Sequence, residues 1–177
     1  MQQPGFDDSM IKVPFDRVWS ANVGLEVFEA ADDAIGGTLA VTEALCQPMG
    51  LVHGGIYACI GEELASVGTG RAVTRDGKWC VGQSNVTHFF RPGTLGDTLH
   101  GLARPIHRGR TSWVWDVEIR NDAGRLCARS TVTMAVREGT PPAPATAVRR
   151  ASATTDRAGS AGSPPASPPT PPGVRAR

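Results

Sequence analysis

Two stretches in the last third of the domain alternate so regularly between apolar and polar side chains that few folds accommodate them. Over 111–120, Trp113, Trp115, Val117 and Ile119 fall on one side and Ser112, Asp116, Glu118 and Arg120 on the other, with Val114 the exception. Over 126–136, Leu126, Ala128, Val132, Met134 and Val136 oppose Arg129, Thr131 and Thr133. A period of two is that of a half-buried strand. The intervening Asn121-Asp122-Ala123-Gly124 has the composition of a tight turn, so the pair predicts a β-hairpin. Further strands are predicted at 79–90 and 97–106. Gly24–Ala30 and Ile35–Thr42 predict a second hairpin about Asp32-Asp33. A short helix is expected near Pro14–Ser20, with Pro14 in its first turn. The one long helical segment is 54–69, where Ile56, Ile60 and Val67 recur at helical spacing among good helix formers. Two strands, a long helix and four strands make an α+β domain, an antiparallel sheet wrapped around one long central helix. The polar residues on the far side of that helix call for a partner surface, such as a second subunit.

Composition bounds the rest. Among 177 residues, 40% are hydrophobic and 20% charged, so a fully disordered chain is excluded. The longest uncharged run, Ala44 to Gly61, contains Gln47, Pro48, His53 and four glycines, which excludes a membrane span of ordinary type. Charges at Asp7, Asp8, Lys12, Asp16 and Arg17 leave no room for a secretory leader, and a cytoplasmic location is expected. Residues 139–177 hold nine of the 14 prolines and no aromatic residue, Leu or Ile. That segment is expected to be a disordered tail. Of the total charge of +1, the tail carries +4, leaving −3 on 1–138. The near-neutral balance of the whole gives no electrostatic reason to expect nucleic acid or an anionic membrane as partner, and a docking or anchoring arm is the alternative for the tail. The division expected is an N-terminal extension at 1–14, a domain at 15–138 and the tail. Cys46, Cys59, Cys80 and Cys127 lack Cys-x-x-Cys spacing, and His53, His88, His100 and His107 lack ligand spacing, so no metal site is expected.

The densest unusual string is Gln47-Pro48-Met49-Gly50-Leu51-Val52-His53-Gly54-Gly55, followed by a helix carrying Glu62 and Glu63. Glycines at a helix start let a ligand approach the backbone. The first-turn N–H groups lack partners within the helix and can receive a developing oxyanion. A histidine before that turn and a carboxylate further along complete the parts of an acyl-transfer site. On a 3.6-residue period Gly55, Cys59, Glu62 and Ser66 form a stripe of small side chains around one carboxylate, while Glu63 falls with Ile56, Ile60 and Val67. The stripe favours Glu62 but does not settle the choice. In the bland alternative, His53 caps the helix and both glutamates are ordinary helix formers.

Gln-Pro-x-Gly-x-x-His-Gly-Gly with Glu nine residues after the His resembles the hotdog-fold acyl-CoA thioesterases. The branch most resembled contains the phenylacetate-degradation, Arthrobacter-type 4-hydroxybenzoyl-CoA, 1,4-dihydroxy-2-naphthoyl-CoA and enterobactin-proofreading thioesterases. The resemblance continues through Asn85-Val86-Thr87-His88-Phe89-Phe90-Arg91-Pro92, Gly96-Asp97, His107-Arg108-Gly109-Arg110 and Asp116-Val117-Glu118-Ile119, covering about 15–137. It implies a hotdog fold and hydrolysis of acyl-CoA, with aromatic acyl groups favoured. It makes Glu62 the nucleophile or general base and the Gly54 N–H the donor to the thioester carbonyl. Gln47 and His53 would orient and polarise the thioester, and Ser66, Gly55 and Cys59 would line the substrate pocket. Arg91, His107, Arg108, Gly109 and Arg110 would bind CoA. No cofactor is implied beyond the CoA of the substrate, or a carrier-protein thioester in its place. A homodimer or dimer of dimers is implied, with the site at a subunit boundary. The competing expectations are a non-catalytic acyl-CoA binder and a hotdog hydratase or dehydratase.

Overall fold

The computed structural model describes residues 6–31 and 33–142. The expected tail lies outside the described residues except for 139–142, as do the first five residues of the N-terminal extension. Six strands form one antiparallel sheet: β1 (Glu26–Glu29), β2 (Ile35–Ala40), β3 (Lys78–Phe89), β4 (Thr98–Arg108), β5 (Ser112–Arg120) and β6 (Leu126–Glu138). Their spatial order is β1-β2-β4-β5-β6-β3, which leaves the twelve-residue β3 on one edge and the four-residue β1 on the other. A short helix α1 (Trp19–Val23) precedes the sheet, and the long helix α2 (Gly54–Val73) lies against one face.

The predicted elements are all present, with two differences. The expected helix at Pro14–Ser20 divides into a 3-10 turn at Phe15–Arg17 and α1, because Val18 between them is extended (φ −81°, ψ 170°). Helix α2 runs four residues beyond the predicted end. From Leu64 onward α2 is buried on nearly every side: Leu64, Ala65, Val67, Gly68, Thr69 and Gly70 are all buried. The segment before β1 covers its outer side, with Phe6 packed on Gly70. A helix covered on two sides shows no single apolar face, so its periodicity fades where its burial is greatest.

The core lies between α2 and the sheet, where Leu39, Ile60, Leu64, Leu99, Trp115, Val117, Ile119, Val132 and Met134 are almost fully buried. The opposite sheet face is polar and carries ion pairs such as the bidentate Arg129–Asp116 contact at 2.7 and 2.8 Å. Two glycines let α2 approach closely. Gly61 sits on Ser130 and Val132, and Gly68 sits on the ring of Trp115. Trp115 is fastened in turn, its indole N–H donating to Thr69 Oγ1 at 2.9 Å while that hydroxyl donates to Ala65 O. Among the described residues no helix is long and apolar enough to cross a membrane.

A Cβ on Gly68 would lie 2.4 Å from the Trp115 ring, which has no room to retreat. Gly68→Ala is therefore expected to lower unfolding free energy by about 1–3 kcal/mol, the usual cost of overpacking. Urea denaturation of the two proteins checks this.

Candidate active site

The loop ahead of α2 is held on both sides. Gln47 N–H donates to Leu51 O and Gly50 N–H to Gln47 O, and Gly50 takes the left-handed φ of +75° that closes this turn. Val52 N–H donates to Gly93 O, and His53 N–H to Leu45 O. His53 is then the N-cap of α2: its Nδ1 accepts from Gly55 N–H at 3.1 Å. The capping role foreseen as the bland alternative is thus present. It has a chemical consequence, because an accepting Nδ1 places the proton of the neutral ring on Nε2. The exposed imidazole therefore offers a donor outward. Among the described residues nothing accepts from Gly54 N–H, which stands at the positive end of a twenty-residue helix.

A cleft of about 370 Å³ opens over this helix start, lined by Gln47, Leu51, Val52, Gly54, Tyr57, Phe89, Phe90, Arg91 and Pro92. Phe89 lies over Gly54, where an added Cβ would be 3.2 Å from its ring, and its ring is 6.0 Å from that of Tyr57. Tyr57 is buried, its hydroxyl accepting from Gly93 N–H at 2.7 Å; burial pushes its pKa above the usual phenol range. Arg91 lies at the rim with Nη1 on Leu126 O at 3.2 Å. The structure thus brings Gln47, Gly54 and Arg91 into one cleft, with His53 preceding Gly54 at the helix start.

Glu62 is elsewhere. Nine residues from His53, it stands about 13 Å further along the helix. It is exposed, and it does not line the cleft. Its carboxylate rests against Gly82 in the middle of β3, where an added Cβ would be 2.7 Å from Oε1. The stripe of Gly55, Cys59, Glu62 and Ser66 runs along the side of α2 facing β3: Cys80 Sγ donates to Ser66 O, and Asn85 Nδ2 donates to Ala58 O at 2.9 Å. Asn85 is fixed in turn by Thr87, which also bonds Ser130. Glu63 is partly buried and does not line the cleft.

The segment His107–Arg110 is remote from the cleft. It lies at the C-terminal end of α2, where a hollow of about 240 Å³ is lined by Lys78, Arg108, Gly109, Arg110 and Trp113 among others. Arg108 stacks 5.2 Å over the Trp113 ring and pairs with Asp33 at 3.1 Å. Sequence reasoning missed Tyr57, Phe89 and Phe90 as cleft walls, and Lys78 beside the arginines. The available signal was Phe89-Phe90 itself, two adjacent aromatics in a strand where alternation buries only one, and both are more than half exposed. Among the described residues no three His, Cys, Asp or Glu side chains gather into a metal-binding group.

Comparison with known proteins identifies the family of the chain. The model of the thioesterase superfamily matches residues 49–128. The proofreading thioesterase EntH of Cronobacter turicensis is 35% identical over 115 residues, 65% of this chain and 82% of that protein. Among solved structures, Rv1847 of Mycobacterium tuberculosis superposes with a TM-score of 0.64 at 35% identity, covering 73% of this chain and 100% of that one. Thioesterase HI1161 of Haemophilus influenzae superposes with a TM-score of 0.63 at 29% identity, covering 67% and 82%. The chain belongs to the thioesterase superfamily, with the hotdog architecture and the thioester-hydrolase class that membership carries.

The cap separates two roles of His53. His53→Ala is expected to lose about 1 kcal/mol of stability, and His53→Asn to regain most of it, since Asn caps helices well. Thermal unfolding of the three proteins checks this.

Proposed function

We propose that this protein hydrolyses acyl-CoA thioesters, or the equivalent thioesters of an acyl carrier, at a site shared by two copies of the chain. One observation carries the reading. A helix start with a free Gly54 N–H and a capped, outward-donating His53 lies at one point, while the stripe carboxylate Glu62 lies about 13 Å away on an exposed face beside a free sheet edge. Neither half is a site alone.

The missing half is supplied by a second β3. This edge strand is twelve residues long and exposes Val81, Val86 and Phe89, the kind of edge that proteins keep paired or covered. Antiparallel pairing of β3 with its copy about a two-fold axis turns the Lys78 end of one strand toward the Phe89 end of the other. Glu62 of one protomer then approaches Gln47, His53 and Gly54 of its partner. The corner formed by Lys78, His107, Arg108, Gly109 and Arg110 approaches Arg91 and the mouth of the cleft, where CoA phosphates would meet guanidinium groups. The cleft walls Leu51, Tyr57, Phe89 and Phe90 support an aromatic or otherwise apolar acyl group.

In this site the thioester oxygen accepts from Gly54 N–H, with the His53 Nε2–H and Gln47 amide as further donors. Glu62 either takes a proton from water, which attacks the carbonyl carbon, or attacks that carbon itself and is released by water. Collapse of the tetrahedral species expels the CoA thiolate, which leaves with a proton as free thiol. So good a leaving group needs only one carboxylate and one positioned donor. Ser66, Gly55 and Cys59 leave space beside the carboxylate. The reading places the enzyme in the cytoplasm, where CoA thioesters are handled.

Thiol release from a panel of aryl- and straight-chain acyl-CoA compounds tests the proposal. Glu62→Gln is expected to lose about 10²–10⁴-fold in turnover and Glu63→Gln less than about threefold. Turnover surviving in Glu62→Gln contradicts the assignment. Acyl-CoA binding without turnover in the unaltered protein would show a binder instead. Gly82→Ala presses on the end of a flexible side chain, so it is expected to displace the Glu62 carboxylate and lower turnover about tenfold or more while changing stability by less than about 1 kcal/mol.

A further inference from the structure

On the side of α2 away from β3, a cavity of about 270 Å³ lies between the β1–β2 turn, the C-terminal half of α2 and the β4–β5 corner. Arg71 enters it from α2 with a side chain only 10% exposed. The guanidinium makes one polar contact among the described residues, Nη1 to Glu29 Oε1 at 3.2 Å, and the Glu29 side chain is 69% exposed. Arg71 Nε is shielded from water and has no partner among the described residues. A buried donor left unpaired is costly, and native structures seldom keep one without a use. Arg108 supplies a second cation from the opposite wall, held over Trp113 and paired with Asp33. The remaining lining is uncharged, from Ala30, Ala34, Ile35, Gly68 and Ala72 with the rings of Trp113 and Trp115.

We propose that this cavity binds a small organic carboxylate. Its two oxygens take the planar donor edge of Arg71, and its short carbon skeleton lies against the alanines and Ile35. An arginine fork matches a carboxylate in two parallel hydrogen bonds, which the single contact with Glu29 does not. Glu29 and Asp33, carboxylates of the chain itself, already occupy the exposed edges of both guanidinium groups, so the ligand competes with Glu29 for Arg71. The cavity volume suits a ligand smaller than CoA. The inference stands apart from the thioesterase reading, because it uses neither the cleft over Gly54 nor Glu62.

Benzoate titrated into the full-length protein labelled with ¹⁵N, followed by amide chemical shifts, tests it. Saturable shifts are expected at Ile35, Gly68 and Ala72. Arg71→Gln should weaken the binding about tenfold or more, and Arg71→Lys nearly as much, because it keeps the charge and loses the fork. Glu29→Gln, a change at an exposed side chain that leaves folding undisturbed, should tighten it by removing the competitor. The proposal is overturned by shifts confined to Gly54 and the cleft, or to Gly109 and Arg110. It is equally overturned by no saturation up to roughly 10 mM, or by an affinity that neither Arg71→Gln nor Glu29→Gln changes. Inorganic phosphate binding as tightly at the same amides would show a site for any anion and overturn the carboxylate assignment.

Discussion

Close seating of α2 on the sheet is the contact from which the positions of all other groups follow. Gly61 on Ser130 and Gly68 on Trp115 remove the side chains that would hold the helix off. The Trp115–Thr69–Ala65 chain of hydrogen bonds then fixes its rotation. With the rotation fixed, Gly55, Cys59, Glu62 and Ser66 face β3, and the first turn opens beside Phe89 and Arg91. The Asn85–Ala58 bond pins the same side of the helix to the edge strand. A helix rotated by one residue, about 100°, would carry Glu62 off this side altogether.

Much of this could be read from the residues before any coordinates. Alternation alone puts Trp115, Val117, Ile119, Val132 and Met134 on the apolar faces of their strands, and all are buried. The small-residue stripe separated Glu62 from Glu63, and the structure lays that stripe along the free edge. Other features depend on chain segments far apart in sequence. The burial of α2 beyond Leu64 comes from Phe6, more than fifty residues earlier, so no periodicity within the helix could show it. The cleft joins Gln47 to Phe89, and the cationic corner joins Lys78 to Arg110; each pairing is a product of sheet order. Ser130 shares the face of Ala128 and Val132, and this polar residue is buried with them where Gly61 leaves room for its hydroxyl.

The two sheet edges divide the surface of the domain. The short β1 edge borders the cavity holding Arg71, where exposed carboxylates answer two buried or stacked guanidinium groups. The long β3 edge carries apolar side chains and unanswered backbone groups, and every residue assigned to the reaction lies within reach of it or at its ends. In the proposed dimer, pairing of this edge is what would bring the catalytic parts together.

The central claim is that one active site takes Glu62 from one chain and His53 with Gly54 from another. Mixing inactive chains measures this directly. Glu62→Gln and a His53→Asn/Gln47→Ala double variant, each nearly inactive alone, are co-expressed and the hydrolysis of acyl-CoA by the mixed dimers is followed. A shared site restores one intact centre in each mixed dimer, so random pairing is expected to recover about a quarter of unaltered activity. Activity no higher than that of the two variants assayed separately would place the whole site within a single chain and contradict the account.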